Sequence, residues 1–230
     1  MKFYPKNLLW AFLLFLSFNS YAQFTVTNTL DSGPGSLRQA ITNANVSGIQ
    51  ETIDFNIAVA GPWIINLVSP LPPITNANGM VIDGTTQPGW TFGDANAMVI
   101  VDGAGAGNSS LIDIQAADSE VYGLVLTGAQ GSGATGFGVY INQDAYDNAV
   151  IGAAGKGNVI SGNAFGGIRI RLADNAKVQG NRIGTSIDGL SANGNLGFHG
   201  IYLDATDGTI IGGNALTGEG NVISRMGQAG

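Results

Sequence analysis

Four blocks of this chain repeat one pattern of apolar and polar positions. Each opens on an alternating strand, passes through polar residues to an Asp and a turn former, and closes on a second short strand ending in Gly. The alternating strands are Ile112-Asp113-Ile114-Gln115, Val139-Tyr140-Ile141-Asn142, Ile168-Arg169-Ile170-Arg171 and Ile201-Tyr202-Leu203-Asp204. Their spacing is about 27 to 33 residues, a period typical of stacked repeats. A third element follows in three blocks: Asn158-Val159-Ile160, Asn181-Arg182-Ile183 and Asn221-Val222-Ile223, each preceded by Gly. Strict alternation sends Val139 and Ile141 to one face and Tyr140 and Asn142 to the other. Such short strands cannot close a core alone, but stacked about 4.8 Å apart they join their apolar faces into one column. The expected class is therefore all-β, a right-handed parallel β-helix (a solenoid) with a short N-terminal capping helix.

Less regular strands precede the repeats: Ile53 to Ile57, Trp63 to Val68, Val81-Ile82-Asp83 and Val99 to Asp102. One helix is predicted between Gly35 and Asn45. Ser36 to Gln39 reads as a capping box, and Leu37, Ala40, Ile41 and Ala44 share a face. It is expected to cover the apolar end of the stack. The opposite end, Met226 to Gly230, carries no such cover. An open strand edge invites pairing, so a missing continuation of the chain or a protein partner is expected there.

Residues 1–22 read as a signal peptide. Lys2 and Lys6 precede the apolar run Leu8 to Phe18, and Ser20-Tyr21-Ala22 places Gln23 at the mature N-terminus. The run is too short to span a bilayer. The expected location is secreted or on the cell surface, with no integral membrane segment in the mature chain. Residues 23–110 then form a cap and irregular first turns, and residues 111–230 the regular repeats. The net charge of −7 falls to about −9 without the leader, which argues against a nucleic-acid partner. Cysteine is absent, so thiol chemistry and Cys-based metal sites are excluded.

Phe24-Thr25-Val26-Thr27-Asn28-Thr29 followed by Asp31 to Ile41 resembles the opening of bacterial surface proteins that carry right-handed parallel β-helix repeats. Thr52 to Phe55, Ile64 to Leu67, Ile82-Asp83-Gly84 and the Gly-Asn-Val-Ile-Ser units are similar as well. The resemblance covers essentially the whole mature chain. It implies fold and export, and points to function only weakly, because related folds serve as pectate lyases, epimerases, adhesins and plain stalks.

Stacking the alternating strands makes two outward rows: Asp113, Tyr140, Arg169, Tyr202 and Gln115, Asn142, Arg171, Asp204. Aromatic faces interleaved with Arg and amides suit sugars, so Tyr140, Asn142, Arg169, Arg171, Tyr202 and Asp204 are the candidate ligand-binding residues, and a polysaccharide or surface glycan the candidate partner. Arg169 and Arg171 would also suit a uronate. Ordinary exposed strands carry such residues too. Catalysis needs paired carboxylates or a base with an acidic cluster, and no adjacent acidic pair appears on any recognisable strand. No catalytic residue, metal ligand or cofactor is assigned. The expected function is a non-catalytic adhesive or structural module. The alternative is a polysaccharide lyase or glycoside hydrolase whose active site lies mostly outside these residues. Asp118, Asp147, Asp174 and Asp207 are expected in turns, bonding the backbone two residues on, rather than in a calcium ladder. His199 reads as an exposed loop residue, and Asn158, Asn163, Asn181, Asn214 and Asn221 as corner residues able to stack in amide ladders.

Overall fold

The computed structural model describes residues 24–133, 135–197 and 199–224. The leader and the mature N-terminal Gln23 lie outside them, as does the stretch 226–230. Seventeen strands and one α-helix follow in order among the described residues. The first are β1 (Phe24–Val26), α1 (Leu37–Ala44), β2 (Glu51–Phe55), β3 (Trp63–Asn66), β4 (Met80–Asp83), β5 (Val99–Asp102) and β6 (Ile112–Ile114). Next come β7 (Glu120–Tyr122), β8 (Leu124–Thr127), β9 (Phe137–Asn142), β10 (Val150–Ile151), β11 (Val159–Ile160) and β12 (Gly166–Arg171). The last are β13 (Lys177–Val178), β14 (Arg182–Ile183), β15 (His199–Asp204), β16 (Ile210–Ile211) and β17 (Val222–Ile223).

These strands form three sheets in which every strand pair is parallel. Sheet A runs β1-β2-β4-β7-β10-β13-β16, sheet B runs β3-β5-β8-β11-β14-β17, and sheet C runs β6-β9-β12-β15. From β6 onward the chain visits each sheet once before returning to it. Before β6 it does not, and sheet C is represented there only by a single bridge from Ile74 to Ile114. The sheets are therefore unequal, with seven, six and four strands.

The helix is also built in rather than perched. Ser36 caps it by accepting from the Gln39 N–H at 3.2 Å. Leu37, Ala40, Ile41 and Ala44 are buried in the same apolar cluster as Ile53, Ile82 and Val121. Arg38 bonds the Asp31 carboxylate at 2.6 Å and the Ser69 carbonyl at 2.8 Å, and Asn76 donates to the carbonyl of Ala44 at 3.0 Å. The expected class, an all-β right-handed parallel β-helix with a helix serving only as a lid, is thus corrected. The chain is mostly β, with three unequal parallel sheets and one helix sharing a core, an α/β-like arrangement. The alternation of the later repeats reports local strand pairing faithfully. It carries no information on the unequal early strands or on how the helix is bound.

Each layer is locked to the next by side chains as well as by the backbone ladder. In sheet C the inward column holds Val139 against Ile168 and Ile141 against Ile170, all fully buried. Burying each such side chain contributes about 1.5–3 kcal/mol. Asn158, Asn181 and Asn221 stack behind sheet B: the Asn181 amide oxygen accepts from the Asn158 N–H at 2.9 Å, and the Asn221 oxygen from the Asn181 N–H at 3.0 Å. Asn163 and Asn195 form a second stack, with the Asn163 N–H donating at 3.1 Å. Asn214 does otherwise and caps a short 3-10 turn through the Leu216 N–H.

The Asp residues of the repeats also behave differently from expectation. Asp147 and Asp174 accept not from their own turns but from the next layer, from the N–H groups of Asp174 at 2.8 Å and Asp207 at 2.6 Å. Asp118 sits one place out of that row. It aligns with Asn148 and Asn175 at a corner where all three adopt left-handed backbone, φ 55 to 60°. Short polar side chains tolerate that conformation because they bond locally.

Candidate functional site

The register of sheet C brings the predicted rows together. Asp113 pairs with Tyr140, Tyr140 with Arg169, and Arg169 with Tyr202; Asn142 pairs with Arg171 and Arg171 with Asp204. Gln115 lies just past β6 and donates to the Asp113 carboxylate at 2.8 Å. All of these side chains are half-buried.

Within the first row the Arg169 guanidinium lies 5.5 Å from the Tyr140 ring and 5.3 Å from the Tyr202 ring. Cation–π contacts of this kind contribute about 0.5–2 kcal/mol, more when water is excluded. Its Nη1 reaches the Gly133 carbonyl at 3.4 Å, while its buried Nε has no partner among the described residues. His199 is not in a loop. It opens β15 and stacks on Tyr202, centroids 4.6 Å apart and planes 14° from parallel. Phe137 lies 6.2 Å from Tyr140 and meets Phe165 edge-on at 5.3 Å. Glycine is required between Phe137 and His199, because a Cβ on Gly166 would stand 2.6 Å from the Phe137 ring. The rings thus contact one another along most of the row, stacked at His199–Tyr202 and tilted or edge-on elsewhere.

The exception is the Asp113 end. There a cavity of about 320 Å³ is lined by Asp113, Tyr140, Asn108, Ser109, Ser110 and Thr135, with Pro70 and Leu71 as apolar wall. Burial raises the Asp113 carboxyl above its ordinary range, against the opposing pull of the Gln115 hydrogen bond. The Ser109 hydroxyl is buried without a partner among the described residues. In the second row Arg171 is bound on both sides, by Asp204 at 2.9 Å and Asn142 at 3.3 Å.

Sheet A holds a second constellation that the sequence reading missed. Thr25, Asp54, Asp83 and Tyr122 stand in register on successive strands. Two carboxylates therefore sit one strand spacing apart, about 4.8 Å between backbones. Both are buried, at 8% and 7% exposure. The expectation that no adjacent acidic pair exists is corrected here. The signal was present, since Ile53-Asp54 and Ile82-Asp83 share a dipeptide, but the intervening loops hid the alignment.

The two carboxylates are treated unequally. Asp83 accepts from Lys156 Nζ at 2.8 Å and from the Thr85 N–H at 3.0 Å. Asp54 makes no hydrogen bond to the described residues. Burial, reinforced by the Asp83 charge and only partly relieved by Lys156, raises its carboxyl above the usual range. Lys156 also lies 5.2 Å from the Tyr122 ring, whose hydroxyl donates to Glu120 at 2.6 Å. Burial and that bond raise the phenol far above its ordinary value. Asp54, together with Thr25, Asn56 and Thr86, lines a cavity of about 320 Å³, in which it is the sole carboxylate. Asp83 is tied down by Lys156 and Thr85, so the arrangement offers a ligand in the cavity one carboxylate acceptor.

A larger cleft, about 860 Å³, lies between residues 93–95 and 186–193. It is wide open, and the nearby Arg182 is occupied by the Phe92 ring at 4.5 Å and the Ile187 carbonyl at 2.7 Å. Among the described residues no three His, Cys, Asp or Glu side chains converge as metal ligands, and no helix is long and apolar enough to cross a membrane. No protein-family model matches the chain, and no curated protein matches it in sequence.

Proposed function

We propose that this chain is an exported protein of the cell surface or extracellular space, a non-catalytic adhesive or structural module that holds glycans on the outer face of sheet C. The observation that carries this reading is the in-register row Asp113-Tyr140-Arg169-Tyr202 ending in a cavity of 320 Å³. That volume is at the lower end for small-molecule sites. Tyr140 lines it, while Asp113 and Asn108 offer polar contacts for sugar hydroxyls. Tyr202 and Arg169 are largely engaged with their neighbours and act mainly by holding Tyr140 in place. The ligand therefore sits at one end of the row rather than along it.

Export rests on the leader-like residues 1–22 and on the resemblance of residues 24–41 to bacterial surface proteins. We further propose a protein contact at β15 to β17, the last strands of their sheets among the described residues. There Leu203, Ile211 and Ile223 are 40 to 49% exposed, whereas their partners Ile170, Val178 and Ile183 are fully buried.

The test is a glycan array with wild type and the Tyr140→Ala/Arg169→Ala/Tyr202→Ala variant. Selective binding by wild type, weakened tenfold or more in a folded variant, is expected; tenfold corresponds to about 1.4 kcal/mol. Absence of binding by folded wild type would overturn the reading.

A further inference from the structure

We propose that the Asp54 cavity on sheet A is a second saccharide site, separate from the sheet C face, which takes the hydroxyl-bearing edge of a neutral sugar. The argument begins with an unmet need. Asp54 is more than nine-tenths buried, lines a cavity, and has no hydrogen-bond donor among the described residues. The Asp54 carboxyl is largely covered by protein but opens on this cavity, so its donors there are water or whatever displaces that water.

The rest of the lining selects among donors. Asn56 supplies an amide, Thr25 a hydroxyl and Pro88 apolar surface, whereas the Thr86 hydroxyl is already held by the Phe55 N–H and the Asp83 carbonyl. Hydroxyls both donate and accept, so a sugar edge serves the carboxyl, the amide and Thr25 together. A cation would satisfy the carboxyl alone, and Lys156 already provides a positive charge beside the Asp54/Asp83 pair. An anion is disfavoured by the Asp54 carboxylate that lines the cavity. The inference shares its ligand class with the proposed function but uses none of the same residues.

The experiment follows the Asp54 side-chain carboxyl carbon by NMR across a pH titration of the folded chain. It is run alone, with methyl glycosides of glucose, galactose and mannose, and with putrescine. At least one glycoside is expected to shift that resonance and to lower the pH at which it titrates, because donated hydrogen bonds favour the carboxylate. Asp54→Asn should weaken that glycoside roughly tenfold or more, since bonds to a charged group are the stronger kind. The sheet C triple variant should bind it here unchanged. A response to putrescine alone, or to none of the probes, overturns the proposal. Glycoside binding measured by calorimetry that is lost in the sheet C variant and retained in Asp54→Asn would also overturn it, by assigning the binding to the other face. The variant-free titration decides the matter even if Asp54→Asn fails to fold.

Discussion

The outer faces of sheets A and C are made from the same parallel ladder, and they meet the problem of half-buried polar side chains in opposite ways. Sheet C covers its charge with rings: Arg169 lies between Tyr140 and Tyr202, and His199 stacks beyond. Sheet A covers charge with charge, placing Lys156 against Asp83 and leaving Asp54 without a donor. The ring solution is tolerant, because each contact is weak and several share the task. The charge solution is brittle, since removing one partner strands a buried ion. It also leaves a carboxylate without a protein donor at the mouth of a cavity. Packed rings make a platform, and a stranded carboxyl makes a pocket that wants an occupant.

The contrast has measurable consequences. The largest concerns Lys156→Met, which leaves Asp83 buried with only its Thr85 bonds. The ammonium is half-exposed, so the expected loss is about 1–3 kcal/mol in chemical denaturation. Asp83→Asn in the same background should restore part of it, and a loss under half a kilocalorie would mean that the two faces are equally tolerant. Next, Arg169→Met on sheet C should cost about 1 kcal/mol, as two cation–π contacts vanish while the unpartnered Nε is also removed. A cost matching that of Lys156→Met would erase the comparison.

A change of opposite sign is expected for Asp54→Asn. A carboxyl raised in the folded state binds its proton more tightly there than in the unfolded chain. Stability therefore falls as pH rises from the ordinary aspartate value of 3.8 through the raised folded value. Removing the group lifts that penalty, so the variant should melt higher than wild type near neutral pH, with the gain vanishing in acid. Asp113→Asn should show the same sign, because burial raises that carboxyl as well. The smallest effect belongs to Arg171→Met, whose partly exposed pair with Asp204 contributes under about 1 kcal/mol. Salt should mask it further.

What could be read from the sequence follows the same division. The sheet C rows were legible because β9, β12 and β15 each alternate strictly and recur at nearly even spacing, so facing and register came together. The helix face was legible from its four apolar positions. Asp54 and Asp83 were not, because they sit on early strands whose loops differ in length and whose third sheet is nearly absent. Nor was the packing of the rings. Alternation says that Tyr140 and Tyr202 point outward but is silent on whether their faces are free, and His199 and Arg169 occupy much of them. Asp118 was misaligned by one residue because its corner role is filled by Asn or Gly in later layers, so matching by residue type selected the wrong partner. The class as a whole was overdrawn from the regular half of the chain.

The stacked asparagines behind sheet B have a bearing on how such a chain can change length. Asn158 and Asn181 are 23 residues apart and Asn181 and Asn221 are 40 apart, yet each makes the same bond to the next layer. Insertions between these amides are absorbed by loops, whereas a single added residue between Asn181 and Ile183 would pull a side chain out of the core. Lineages of this protein should therefore accumulate indels freely in the outer loops and almost never beside the buried amides, and new segments grafted for display belong at residues 188–191.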